Sequence, residues 1–199
     1  MKKLLIYLYL INNLFFLYPN FAFSKVVGDQ IILGSIISLS GKHSLKGQDI
    51  LENFNETIED INKKGGVKVG EKNYKFQLVY YDDESDPLRA AQITRRLILQ
   101  EGIQFMIGPY SLELLEVTIP IIEKNHVLLI DINNISSSMI GSKYIFSVEG
   151  SLNPVRESAN VLLTYKEAIE KANSFDILKI RELLNRIIQL RSYYNDLMT

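Results

Sequence analysis

The sequence predicts an α/β fold, a Rossmann-like doubly wound parallel sheet, on three observations. Short apolar runs of strand length alternate with longer stretches whose apolar residues recur at helical spacing. The run Ile61–Pro87, INKKGGVKVGEKNYKFQLVYYDDESDP, passes through a helix end, a double-glycine stop, a surface turn, an alternating strand and an acidic loop into a proline-started helix. At 199 residues the chain is long enough for one domain with a sizeable core.

Residues 1–24 read as a secretory signal peptide. Lys2 and Lys3 supply the positive start, and Leu4 to Leu17 form an apolar core broken only by Asn12 and Asn13. Ala22-Phe23-Ser24 offers small residues at the two positions a signal peptidase reads, which places cleavage after Ser24. An uncleaved anchor is the other reading, but about fourteen residues is short for a bilayer. No cysteine follows the apolar core, so a lipoprotein anchor is not expected.

Ile31–Ile37 is an apolar run suited to a buried parallel strand. Ser38-Leu39-Ser40-Gly41 then turns toward a helix expected to start near Gly47, with Ile50, Phe54, Ile58 and Ile61 on its apolar face. Gly65 and Gly66 can take the left-handed angles that close it. Lys75 to Tyr81 alternates Phe76, Leu78 and Tyr80 against Lys75, Gln77 and Val79, a strand signal. Asp86 before Pro87 is a helix start, with a carboxylate to cap and proline in the first turn. That helix should run through Gln100 to a stop at Gly102, with Arg95 and Arg96 in solvent. Ile103–Ile107 is the third strand. A helix follows from Leu112 to Lys124; Pro120 inside it would ordinarily kink or restart a helix, and is read here as tolerated. Val127–Ile130 is a fourth strand and Lys143–Val148 a fifth. Ligands of such sheets bind outside the carboxyl ends of the strands, in the loops Ser38–Gly47, Tyr81–Asp86, Gly108–Leu112 and Asp131–Ser138.

Composition excludes several classes. The formal net charge is −1, and no basic patch suggests nucleic acid. With no cysteine there are no disulfides and no thiolate metal sites. The two histidines, His43 and His126, stand at no triad or metal-ligand spacing. Gly41–Gly47, GKHSLKG, lacks the ending of a phosphate loop. No acid–base pair or nucleophile points to an enzyme, and no cofactor is expected. Asp82 and Asp83 could be a metal or phosphoryl-acceptor pair; the plainer reading is an acidic loop whose carboxylates bond loop amides.

The succession of SG, INKKGG, DDESDP and IGP resembles the Leu/Ile/Val-binding-protein family, the type I periplasmic substrate-binding proteins of ABC transporters. The likeness runs from Ile31 to Ser151 through ILGSIISLSGKHSLKGQDILENFNETIEDIN, LILQEGIQFMIGPYS and YIFSVEGS. Asn160–Leu184 is similar to the far C-terminal region of the family, where helices return to the first lobe. The resemblance implies residues 25–152 as a first lobe and 153–199 as a helical segment packing on it, with most of a second lobe missing between them. The terminal run Asn185–Thr199 has no counterpart. The implied function is capture of an amino acid or related small polar solute for an ABC permease, in the periplasm of a Gram-negative host and otherwise outside the cell.

Family members hold the solute's carboxylate and amino groups with hydroxyls and backbone groups on first-lobe loops. By position one hydroxyl falls on Ser111 or Leu112, a gapless match favouring Leu112, which has none. A second loop falls on Asn133, Asn134 and Ile135. The loop after the first strand lines the cleft, making Ser40, His43 and Ser44 candidate contacts, and Tyr110 is expected at the cleft mouth. Two other readings stay open: an interaction module, able to form a homodimer through its exposed cleft face, and a remnant without ligand binding.

Overall fold

The computed structural model describes residues 26–132, 141–148 and 154–198. The leader expected at residues 1–24 and the loop positions Asn133, Asn134 and Ile135 lie outside them. A two-residue strand, β1 (Val26–Val27), folds back antiparallel on β2 (Gln30–Ile37). From Ile31 onward every side chain of β2 is buried, as the apolar run requires for a strand covered on both faces. Each fully buried Ile or Leu there stabilises the fold by about 1.5–3 kcal/mol.

Helix α1 (Ser44–Lys63) begins at Ser44, three residues before the expected start. Gly47 lies inside its first turn for a packing reason: a Cβ there would stand 1.9 Å from Ser38 O. The anticipated apolar face is buried, with Ile50, Phe54, Ile58 and Ile61 inside. Gly65 and Gly66 end the helix at φ of 103° and 75°. The expected surface turn after them is a small hairpin instead. Strand β3 (Val67–Val69) pairs antiparallel with the start of β4 (Lys72–Asp82) through the turn at Gly70. At three residues β3 is too short to show a period. Along β4 Phe76 is buried but Tyr80 is 39% exposed, so the alternation marks only the middle of the strand.

Helix α2 (Pro87–Leu99) starts as expected: the Asp86 carboxylate accepts from Leu88 N at 2.7 Å and from Arg89 N at 3.0 Å. Arg96 is not simply solvated. Its guanidinium lies 4.2 Å from the Tyr81 ring centre and donates to Glu101, which also accepts from the Tyr81 hydroxyl. Strand β5 (Phe105–Ile107) is two residues shorter at its start than the apolar run. Helix α3 (Leu112–Asn125) continues unbroken through Pro120. The carbonyl that proline leaves unpaired belongs to Glu116, one turn back; both residues are exposed, so water can satisfy it. His126 closes α3 in the left-handed region and stacks on Tyr144 at 4.9 Å. Strands β6 (Leu128–Asp131) and β7 (Ile145–Ser147) complete the sheet, followed by α4 (Pro154–Ala172) and α5 (Ile177–Met198). No described helix is long and apolar enough to cross a membrane.

The strand order is β3-β4-β2-β5-β6-β7, and β4, β2, β5, β6 and β7 all run parallel. From β2 the chain winds to β4 on one side, then back past β2 to β5 on the other. Right-handed crossovers place α1 on one face and α2 with α3 on the opposite face. Helix α4 joins α1, where Ser158 Oγ donates to Asn53 Oδ1 at 2.6 Å. Its Glu170 accepts from Lys68 N of β3 at 2.9 Å, and Arg191 of α5 ties back to Glu167 at 2.8 Å. These contacts hold both terminal helices on the same body as the sheet.

Tyr165 of α4 is wholly buried with its ring edge-on to Phe105. Its hydroxyl oxygen lies 2.8 Å from both Met106 O and Leu128 O, one carbonyl from each of two neighbouring strands. Burial pushes the phenol's pKa well above its usual value, so it stays a proton donor. Replacing Tyr165 with Phe should cost about 1–3 kcal/mol in urea unfolding, because the two buried carbonyls lose the one hydroxyl proton they share. A Tyr165→Phe chain as stable as the parent would show that the sheet alone satisfies them.

Candidate functional site

The loops following β2 and β5 leave adjacent strands toward helices on opposite faces, which opens a crevice at the carboxyl end of the sheet. On one wall stand residues 38–43 and the start of α1. On the other stand Gly108, Pro109, Tyr110 and Ser111 and the start of α3. Between them is a narrow recess of about 10 Å³, lined by Ser38, Gly47, Gly108, Tyr110 and Ile132 among others. That is room for about one water molecule.

Asp82, at the end of β4, shapes the first wall. Its carboxylate accepts from Leu39 N at 2.8 Å, Ser40 N at 3.2 Å, Ser40 Oγ at 2.7 Å and Glu84 N at 2.9 Å. Burial alone would raise this carboxyl. The hydrogen bonds from Glu84, Ser40 and Leu39 outweigh it and hold the group below its ordinary value. Asp83 behaves oppositely. It is fully buried, and its Oδ1 accepts from Ser38 Oγ at 2.6 Å and Ser85 N at 2.8 Å. Its Oδ2 has no hydrogen-bond partner among the described residues. Burial raises Asp83 most; the bonds from Ser38 and Ser85 oppose it, and the charge of Asp82 adds to it. Ser85 then links the walls of the loop, donating to Ser40 O at 2.8 Å and accepting from His43 N at 3.1 Å. The acidic pair is thus a loop organiser. Among the described residues no group of three or more His, Asp or Glu is placed to hold a metal ion.

The candidate residues fall into different roles. Ser40 is exposed on the crevice wall, but its hydroxyl is engaged by Asp82. His43 is half-buried; its ring meets the Tyr110 ring edge-on at 5.5 Å, and its Nε2 is buried without a hydrogen-bond partner among the described residues. Ser44 is the first residue of α1, its amide donating to Gly41 O at 3.2 Å. Tyr110 lines the recess, as expected of a residue at the mouth. Ser111 is the N-cap of α3, its hydroxyl accepting from Leu114 N at 3.3 Å. Leu112 is 40% exposed at the first helical position. The structure therefore brings Ser40, His43, Ser44, Tyr110 and Ser111 to one crevice.

Two residues at this crevice were not anticipated. Lys42 Nζ, on the loop after β2, lies 2.5 Å from Glu113 Oε2, in the first turn of α3. They stand 71 positions apart, and no sequence spacing pairs them. Only their placement beside expected cleft residues, Lys42 next to His43 and Glu113 next to Leu112, could have drawn attention to them.

The titrations of the acidic pair yield a prediction of definite sign. Because its folded pKa is raised, Asp83 contributes stability that is fully present below about pH 3.9, the ordinary value, and is lost as pH rises through its folded pKa. Asp83→Asn abolishes that loss. Its stability relative to the parent should therefore shift upward between about pH 3.5 and pH 7. Urea unfolding at both values measures this, and a pH-independent difference would contradict the burial of an ionising Asp83.

Comparison with known proteins places this crevice in context. A family model described as periplasmic binding protein matches residues 30–172. Leu/Ile/Val-binding protein homolog 6 of Brucella abortus (strain 2308) is 28% identical over 120 residues, covering 60% of this chain and 29% of that protein. The Leu/Ile/Val-binding protein of Escherichia coli (strain K12) is 31% identical over 88 residues, covering 44% and 23%. The match thus spans under a third of either relative's length. Among solved structures, the branched-chain amino acid transporter substrate binding protein LivJ of Streptococcus pneumoniae, in complex with isoleucine, superposes with a TM-score of 0.55 at 22% identity, over 59% of this chain and 33% of that one. A solute binding protein of an ABC transporter from R. palustris, in complex with 4-hydroxybenzoate, gives 0.50 at 21% identity, over 70% and 44%. At these identities the solved structures establish the fold.

Proposed function

The chain belongs to the periplasmic binding protein family, and from that premise we propose that it captures a small carboxylate-bearing solute, an amino acid or close relative, for an ABC importer. The observation that carries this reading is the crevice at the strand-order reversal, with the N-terminal turns of α1 and α3 on its two walls. Helix N-termini favour anionic groups, because their first amides point outward and their dipoles are positive there. Ser111 O and Oγ engage the amides of Leu115 and Leu114, which leaves those of Leu112 and Glu113 outside the helical ladder.

The ligands named for two proteins of this fold, isoleucine and 4-hydroxybenzoate, share a carboxylate. Ser40, His43, Ser44, Tyr110 and Ser111, with Asn133 and Asn134 from the following loop, are the residues we assign to the solute. On this reading the chain performs no chemistry. Delivery to a permease, in the periplasm, is part of the same proposal.

Thermal unfolding of the purified chain against a panel of amino acids and aromatic acids at millimolar concentration tests it. One ligand at 100 times its dissociation constant should add about 2.7 kcal/mol of stability. Tyr110→Ala should abolish that gain while leaving the unliganded melt cooperative. A melt indifferent to every solute would overturn the proposal.

A further inference from the structure

The outer edge of the sheet, along β4, is closed over its first half and open over its second. The amides of Lys75 and Asp83 bond toward β2, to Asp29 O and Ile37 O, so the even-numbered residues of β4 turn their main-chain groups outward. Tyr74 is covered by β3, and the Asn62 side chain brackets Phe76, donating to its carbonyl and accepting from its amide at 2.9 Å each. Leu78 and Tyr80 come next. Their outward amides and carbonyls find no partner among the described residues. Sheet edges are normally blunted by charge, proline, a bulge or a covering segment. The run Phe76–Tyr81, FQLVYY, has no charge, no proline and no glycine, and is rich in aromatic and β-branched residues. It is built to pair.

The helices beside this edge differ in charge. Asn62 marks the stripe of α1 that lies toward the edge, and Glu59, Asn55 and Leu51 follow it back along the helix. With Gln48, Glu52 and Glu56 they line an open surface depression that holds three carboxylates and no base. Lys63 answers Glu59 at 2.6 Å, but among the described residues no base pairs with Glu52 or Glu56. On the other face of the sheet the charges answer each other. Arg96 lies over Tyr81 and bonds Glu101, and Arg89 stands 3.5 Å from Glu84. We propose that the open edge of β4 takes an extended segment of a partner protein as an added strand, with Lys or Arg at every second position and uncharged residues between. Its main chain pairs with Leu78 and Tyr80. Its basic side chains, all on one face, reach Glu52, Glu56 and Glu59, and the alternate ones lie beside Val79 and Tyr81. A second copy of this chain fits less well, because edge-to-edge pairing sets like faces side by side and brings its acidic row against this one.

Fluorescence anisotropy of the full chain with labelled peptides tests this. The peptide KVKVKV should bind about fivefold or more tightly than EVEVEV, which reverses the charge. It should exceed KKKVVV, which keeps the composition but breaks the alternation, by a similar factor. Tyr80→Pro removes an outward amide without touching the β2 ladder, and should abolish binding while the melt stays cooperative. The double variant Glu52→Lys with Glu56→Lys, on an exposed helix face, should turn the preference toward EVEVEV, a readout that does not depend on how the proline variant folds. Equal binding of KVKVKV and KKKVVV, a preference unmoved by the exchanged charges, or no binding at all would overturn the proposal. So would a dimer of the peptide-free chain, seen by light scattering, that Tyr80→Pro dissolves, because the edge would then belong to a second copy.

Discussion

Reversal of winding direction at β2 is the constraint on which the remaining architecture depends. Because right-handed crossovers wind away from β2 in both directions, helices cover both of its faces, which is why β2 is buried from Ile31 to Ile37. The same reversal sends the loops after β2 and β5 to opposite sides, and a gap between them is unavoidable. The crevice is therefore a product of topology before any side chain is considered. Side chains then decide how wide the gap stands and what charge it shows.

Asp82 and Asp83 illustrate how neighbouring identical residues acquire different work from backbone placement alone. Successive strand residues face opposite ways. Asp82 emerges beside the loop amides of Leu39 and Ser40, whereas Asp83 turns into the interior. Both replace interactions that the loop after β2 cannot supply to itself, since a loop has no ladder partner for its amides. The strain of burying the second carboxyl is offset by the order it gives to Ser38 and Ser85.

Much of the fold was legible because its signals are local. Asp86-Pro87, the glycines at 65 and 66, and the apolar face Ile50, Phe54, Ile58 and Ile61 each specify backbone geometry within a few residues. The helix start at Ser44 was hidden because His43, at the N-cap, makes no side-chain capping bond, so no polar signature marks it. Gly47 was misread as a boundary because its purpose is a contact with Ser38 O across the loop, which sequence spacing does not encode. The site was half legible for the same reason. Its loops follow from topology and the resemblance, whereas the Lys42–Glu113 pairing and the engagement of the Ser40 hydroxyl by Asp82 arise only once distant segments meet.

The anchoring of α4 also bears on how the chain reaches its native state. The carbonyls of Met106 and Leu128 meet the Tyr165 hydroxyl, which lies 59 and 37 positions later in the chain. Contacts of such separation slow folding, because the intervening segment must be ordered before they reward it. As the polypeptide emerges vectorially, one face of β5 and β6 stays uncovered until residues 158–169 arrive. During that interval Phe105 and the strands beside it present an apolar sheet surface of the kind that chaperones hold and aggregates recruit. The helix that covers this face is thus also the element that shortens the chain's period of vulnerability.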